Sequence, residues 1–170
     1  MAKRKPVVAI LMGSDSDLPV MERCLTTLRV LGIEFDVNVL SAHRTPDHVA
    51  KYVARAEADG VQVFICAAGG AAHLAGAVVA RTLRPVIGVP LNATGLNGLD
   101  ALLSTVQMPS GVPVATVAIG EMGAANAAFL AARILALADP GLRTRLGAHR
   151  DEMVKGVLEK NVKAREKSSS

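Results

Sequence analysis

Three short segments of this chain hold most of the residue types that could do chemistry. The first is Gly13-Ser14-Asp15-Ser16-Asp17. A glycine and hydroxyls opening a helix can cradle a phosphate, because glycine permits a tight turn and the first helical N–H groups are free. Ser and Asp are equally the preferred N-cap residues, so the spacing leaves cradle and plain cap level. Asp17 would repel a phosphate and suits a ribose diol better. The second segment, Ser41-Ala42-His43-Arg44-Thr45-Pro46, sets a proton-exchanging imidazole beside a cation that can fork two hydrogen bonds onto an anion. Its alternative is a surface loop in which Thr45 or Asp47 caps the next helix. The third, Ala67-Ala68-Gly69-Gly70-Ala71-Ala72-His73-Leu74, offers close backbone approach and room for a planar ring. Whether a lone His73 is structural or catalytic stays open at this point.

Other chemistries find little support. His48 lies one turn into a helix and is expected to be exposed, and His149 falls in a charged C-terminal stretch. No His, Cys, Asp or Glu pair has HExxH or CxxC spacing, so no metal site is expected. There is no GxGxxG and no Walker loop, which argues against dinucleotides and triphosphate hydrolysis. No GxSxG elbow occurs, and neither Cys24 nor Cys66 stands beside a base, so both read as small core residues.

The elements that would position these segments alternate along the chain. Val7–Met12 is a continuous apolar run, as in a strand buried on both faces. Met21, Cys24, Leu25, Leu28 and Leu31 recur at helical spacing, closed by Gly32. Phe35, Val37 and Val39 alternate with Asp36 and Asn38, which predicts a strand nearer an edge. A helix follows Pro46 to about Gly60, then a strand over Val61–Cys66 and an alanine-rich helix to about Thr82. Pro85–Val89 and Pro113–Val117 are strands four and five, with a short helix at Asp100–Val106 between them. Gly123–Leu137 is a long helix, and a last one spans about Leu142–Leu158.

Five strands alternating with helices predict an α/β fold: a doubly wound parallel sheet, flavodoxin-like, three-layer α/β/α, in the order 2-1-3-4-5 with a C-terminal helix. In such a sheet the loops after strands one, two and three meet at the switch in strand order, and these are the three segments above. The whole chain, 1–170, reads as one domain, with a core over 6–138 and a disordered tail from about 163. Between Ala124 and Leu137 only Asn126 and Arg133 are polar, so that helix is expected to lack a solvent face and to be buried against other subunits; a central helix in a monomer is the competing explanation.

Composition narrows the class further. Apolar residues are 51% and aromatics 2%, so the core must be aliphatic. The net charge of +4 sits on the ends: Lys3, Arg4 and Lys5 at one, and five basic against two acidic groups over residues 155–170 at the other. A nucleic-acid surface would place a basic stripe with stacking aromatics on the folded body, so none is expected. No apolar run reaches membrane-span or signal-peptide length, which predicts a cytoplasmic protein without a membrane partner.

Taken together the segments resemble one family, the N5-carboxyaminoimidazole ribonucleotide mutases (class I type) of purine biosynthesis. The resemblance rests on MGSDSD (12–17), SAHRTP (41–46), AGGAAHL (68–74), PVIGVP (85–90), GLDALLSTVQMP (98–109), GVPVATVAIG (111–120) and GAANAAFLAARIL (123–135). It implies a rearrangement without metal or organic cofactor, in which a carbamate on the exocyclic nitrogen becomes a carboxylate on ring carbon C4 through transient CO2. It also implies a homo-octamer with sites shared between subunits. By this resemblance Ser14 and Ser41 bind the 5′-phosphate with Arg44 as its cation, Asp17 takes the ribose hydroxyls, and His43 is the general acid/base. Gly69, Gly70, His73 and Leu74 would wall the ring and CO2 pocket. Departures occur at Ala75 (usually Pro), Ala101 (usually Ser) and Asn92-Ala93-Thr94, which puts the mobility of a pocket lid in question. Two alternatives remain: an aminoimidazole ribonucleotide carboxylase using free CO2, and a flavodoxin-like or receiver-like binding module. The second would need flanking aromatics, absent from the loops after strands one and three, or acidic clusters after both strands, whereas strand three ends in Cys66-Ala67-Ala68.

Overall fold

The structure is a computed structural model that describes residues 5–168. Lys3, Arg4 and the last two serines lie outside the described residues. Packing divides the chain into two compact units, Met1–Ala131 and Ala132–Ser170.

The first unit contains a five-stranded parallel sheet: β1 (Val8–Met12), β2 (Phe35–Val39), β3 (Val63–Gly69), β4 (Val86–Leu91) and β5 (Ala115–Thr116). Their order is β2-β1-β3-β4-β5, as the alternation of runs predicts. All five residues of β1 are buried, because β1 lies between β2 and β3 and is covered on both faces. β2 is the edge strand and is only partly buried. Its polar Asp36 has a structural use: Oδ2 accepts hydrogen bonds from the Tyr52 hydroxyl and the Asn38 amide, both at 2.9 Å.

The connecting helices are α1 (Leu18–Val30), α2 (Pro46–Asp59), α3 (Leu74–Val79) and α4 (Leu99–Val106). α1 buries Met21, Cys24, Leu25 and Leu28, the i, i+3, i+4, i+7 stripe of an amphipathic helix. Gly60 ends α2 in the left-handed region at φ 106°, which a side chain would resist. Val49, Val53 and Ala56 of α2 and Leu74, Ala75 and Val78 of α3 share one core cluster with Ala9, Leu11 and Phe64 of the sheet. A right-handed crossover from β1 to β2 runs opposite in direction to that from β2 to β3, so α1 covers the other face.

Several boundaries differ from the sequence pattern. β3 continues through Ala67-Ala68-Gly69 because β4 pairs with it as far as Gly69↔Leu91. α3 stops at Val79 and does not reach Thr82, whose hydroxyl instead donates to Glu57 at 2.9 Å.

α5 (Gly120–Leu135) packs one side within the chain. Ala124, Ala127, Ala128 and Ala131 are fully buried, while Met122, Asn126 and Arg133 are exposed. Within the chain its alanines form the buried stripe because a methyl lets a helix lie close to its neighbours, and the opposite side is open at the surface of this single chain. α4 also presents apolar surface, with Leu99, Leu103 and Val106 53%, 51% and 49% exposed.

The second unit is dominated by α6 (Pro140–Ser168). It is longer than the 142–158 expected, and residues 163–168 are helical where a disordered tail was anticipated. Lys, Glu, Arg and Ala dominate that stretch, and Lys155, Glu159 and Lys163 stand four apart, a spacing that supports an exposed helix.

Candidate active site

Strand register brings the three segments together. Met12 pairs with Val39 on one side and Ala67 on the other, so the chain leaves all three strands at one edge of the sheet. Two further backbone bonds extend the ladder past the strand ends, from Leu40 N to Met12 O at 2.8 Å and from Gly13 N to Ala67 O at 3.3 Å.

The first loop turns on Ser14, whose backbone is extended at φ −149° and ψ 155°. Its hydroxyl accepts the Ser16 N–H at 3.3 Å and the Ser16 hydroxyl at 2.8 Å. Asp17 Oδ2 in turn accepts the Ser14 N–H at 3.1 Å, which completes a capping box. Asp17 is 9% exposed. Burial pushes its carboxyl above the ordinary 3.8, against the opposing pull of the Ser14 and Gly13 N–H groups. The plain-cap reading of this loop is thus realised, and its hydroxyls also face the cleft described below.

The second loop is wound on Ser41. Its Oγ accepts the backbone N–H groups of His43 at 3.3 Å and Arg44 at 3.2 Å. Thr45 closes the turn through its hydroxyl, accepting from Ser41 N at 2.9 Å and donating to Ser41 O at 3.1 Å. Thr45 thus spends its oxygen on Ser41 and makes no side-chain cap bond to α2. The Arg44 guanidinium crosses to the first loop and donates to Gly13 O at 2.7 Å.

The third loop leaves β3 at Gly69. Gly70 has φ 60°, and Ala72 has φ 47°, a left-handed conformation that is uncommon for a residue with a side chain and tends to occur at functional sites. His73 follows at the start of α3. Its Nδ1 lies 2.6 Å from Nε2 of His43, with the rings edge-on at 80°.

These loops enclose a cleft of about 340 Å³. Of the residues nominated from sequence, Ser14, Asp17, Ser41, His43 and Arg44 line it, as do Gly69, His73 and Leu74. Gly70 does not; its place is the turn beneath the wall. Six other residues also line it: Gly13, Ser16, Ala42, Ala68, Ala72 and Ala93. The repeated serine at 14 and 16 was a legible signal for Ser16. Ala93 had only its position after β4 to recommend it. A Cβ on Gly69 would collide with the Cβ of Ala93, so Gly69 is what lets the loop after β4 close over this wall. That loop is tied back where the Thr94 hydroxyl donates to Asp100 at 2.7 Å.

The walls from Ala42, Ala68, Gly69, Ala72 and Ala93 are small and apolar, and the polar groups sit around them. The arrangement can bind an anion at Arg44 and the serine hydroxyls, and exchange protons at His43. His48 is exposed and away from the cleft lining. Cys24 and Cys66 are buried, and burial pushes the Cys24 thiol up to about 12 and Cys66 higher still, so neither is a ready nucleophile. Among the described residues no group of three or more His, Cys, Asp or Glu is placed to hold a metal ion.

Comparison with known proteins agrees with this architecture. Residues 7–156 match the family described as AIR carboxylase. The chain is 50% identical to an N5-carboxyaminoimidazole ribonucleotide mutase of Pyrococcus horikoshii, over 94% of this chain and 89% of that one. It is 51% identical to the protein of the same name from Thermotoga maritima, over 91% and 90%. Among solved structures, Treponema denticola PurE superposes with a TM-score of 0.85 at 33% identity, covering 93% of this chain and 98% of that one.

Proposed function

This chain belongs to the AIR carboxylase family, and from that premise we propose that it is an isomerase of purine biosynthesis, converting N5-carboxyaminoimidazole ribonucleotide to 4-carboxy-5-aminoimidazole ribonucleotide. The observation that carries the reading is the convergence of His43, Arg44 and Ser14 on one cleft walled by small apolar residues.

The 5′-phosphate binds Arg44 and the hydroxyls of Ser14 and Ser41. Ser41 Oγ already accepts two backbone N–H groups, so its own proton is left to donate to an anion. Asp17 takes the ribose hydroxyls. His43 delivers a proton to the carbamate nitrogen as its bond to the carboxyl carbon breaks, releasing CO2. The ring carbon C4 then attacks CO2, and His43 takes up the proton that C4 loses, so the proton count closes over one turnover. Gly69, His73 and Leu74, with the alanines beside them, hold CO2 away from bulk water, where it would hydrate or escape. The sequence of steps calls for no cofactor.

We read residues 1–170 as one catalytic domain, in keeping with a family match that crosses both compact units. We also read the protein as a homo-octamer, supported by the exposed leucines of α4. Among the described residues no helix is long and apolar enough to cross a membrane, and we place the enzyme in the cytoplasm, with neither membrane nor nucleic acid as partner.

The test is to supply purified protein with the carbamate substrate, or with the free ribonucleotide plus bicarbonate. Turnover of the first is expected; turnover of the second alone would make the protein a carboxylase. The mutase names of the relatives favour the first outcome.

A further inference from the structure

We propose that His73 is a positioning residue for His43, acting through the hydrogen bond between its Nδ1 and Nε2 of the His43 ring. This rests on the mutase reading but assigns His73 more than a place in the wall.

The two nitrogens are 2.6 Å apart, and the rings meet edge-on at 80° with centroids 4.8 Å apart. A neutral imidazole has one donor and one acceptor, so a bond between two of them links their tautomers: whichever nitrogen donates, the other must accept. His43 is exposed on a loop, and its ring alone would sample several rotamers and both tautomers. Its backbone is already held by Ser41 Oγ, leaving the side-chain torsions as the freedom to be removed. His73 is well mounted to remove it. Leu74 and Ala75, which follow it, are 1% and 3% exposed, and its carbonyl accepts the Ala77 N–H at 2.9 Å. The left-handed turn at Ala72, φ 47°, aims the chain into that seat. A ring that must give up a proton at nitrogen and take one from carbon within a single turnover gains from a fixed orientation.

A wall needs only bulk at position 73, whereas positioning needs a hydrogen-bonding atom where Nδ1 now sits. His73→Phe keeps the bulk and His73→Asn keeps an amide at about the Nδ1 position. With the carbamate substrate, H73F is expected to lower kcat about a hundredfold with KM within about threefold, since small misplacements of a reacting group cost that much. H73N is expected to recover at least about tenfold of that loss. Absence of turnover by the parent protein would count against the mutase reading. A normal parent combined with an H73F defect confined to KM, or with H73N no better than H73F, would overturn the positioning role. A second measurement needs no activity. In protein carrying 15N-labelled histidine, two-bond proton–nitrogen spectra are expected to show a His43 tautomer balance in H73F that differs from the parent's. An unchanged His43 pattern in H73F would overturn the proposal.

Discussion

The guanidinium of Arg44 donates to the backbone carbonyl of Gly13 at 2.7 Å, so the cation of the second loop is fastened to the first. The tether spans 31 residues of sequence and fixes the distance between the charge and the Ser14 hydroxyl. An anion entering the cleft meets a guanidinium already turned towards the serine loop, with part of its side-chain entropy already lost before binding.

Arg44→Ala is therefore expected to act on binding more than on turnover. Hydrogen bonds to charged groups contribute about 1.5–3 kcal/mol, which corresponds to a loss of affinity of about 10- to 150-fold. Titration calorimetry with the ribonucleotide measures it. Arg44→Lys should recover only part of the loss, because an ammonium cannot fork towards both Gly13 and a phosphate. An unchanged affinity would remove Arg44 from the phosphate site.

His43→Asn should do the reverse. General acid–base catalysis is worth about 10²–10⁴ in rate, so kcat should fall by that factor or more while affinity stays within about tenfold. Steady-state kinetics with calorimetry on the same variant separates the two. Near-normal turnover would end the proton-shuttle role.

Gly69→Ala should disturb the wall by contact with Ala93, since the added methyl meets the neighbouring one. Overpacking of this kind costs about 1–3 kcal/mol. Urea unfolding of G69A, A93G and the double variant forms a cycle, and A93G should relieve most of the cost. Additive effects would mean that the two residues do not meet.

The burial of Asp17 has a consequence for stability against pH. Its carboxyl is raised above 3.8 in the folded protein, so the fold binds that proton more tightly than the unfolded chain does. The stability it contributes is therefore full below the unfolded value and is lost as pH rises through the raised folded value. The stability of Asp17→Asn relative to the parent should increase with pH across that window and then level off. Urea midpoints of both proteins over an acidic pH series give the difference directly; a gap that narrows with rising pH contradicts the assignment.

Assembly through α4 is tested at Leu103, which is 51% exposed. A charge on an exposed helix position usually changes the stability of a subunit by less than about 0.5 kcal/mol. Leu103→Glu should nonetheless reduce the mass seen in sedimentation if that face lies between copies. An undiminished mass would move the interface elsewhere, and a monomeric parent would dismiss the octamer.

Much of this protein is settled by local pattern. Val8–Met12 is buried on both faces because a run with no polar residue has no other stable place, and the alternation in Phe35–Val39 marks an edge because half of its side chains tolerate water. Once order β2-β1-β3 follows, the loops carrying Ser14, Ser41, His43 and Arg44 must share one edge of the sheet, which is why most of the cleft was legible. The long-range contacts were decided only by folding. His43 and His73 are 30 residues apart, and no local spacing dictates that their nitrogens meet. Gly69 reads as a generic flexible residue until Ala93 arrives against it. The apolar run of α5 does not say which of its sides packs within the chain; its small alanines turn inward while Met122 stays at the surface. Periodicity records which residues dislike water, and only packing decides which of them escape it.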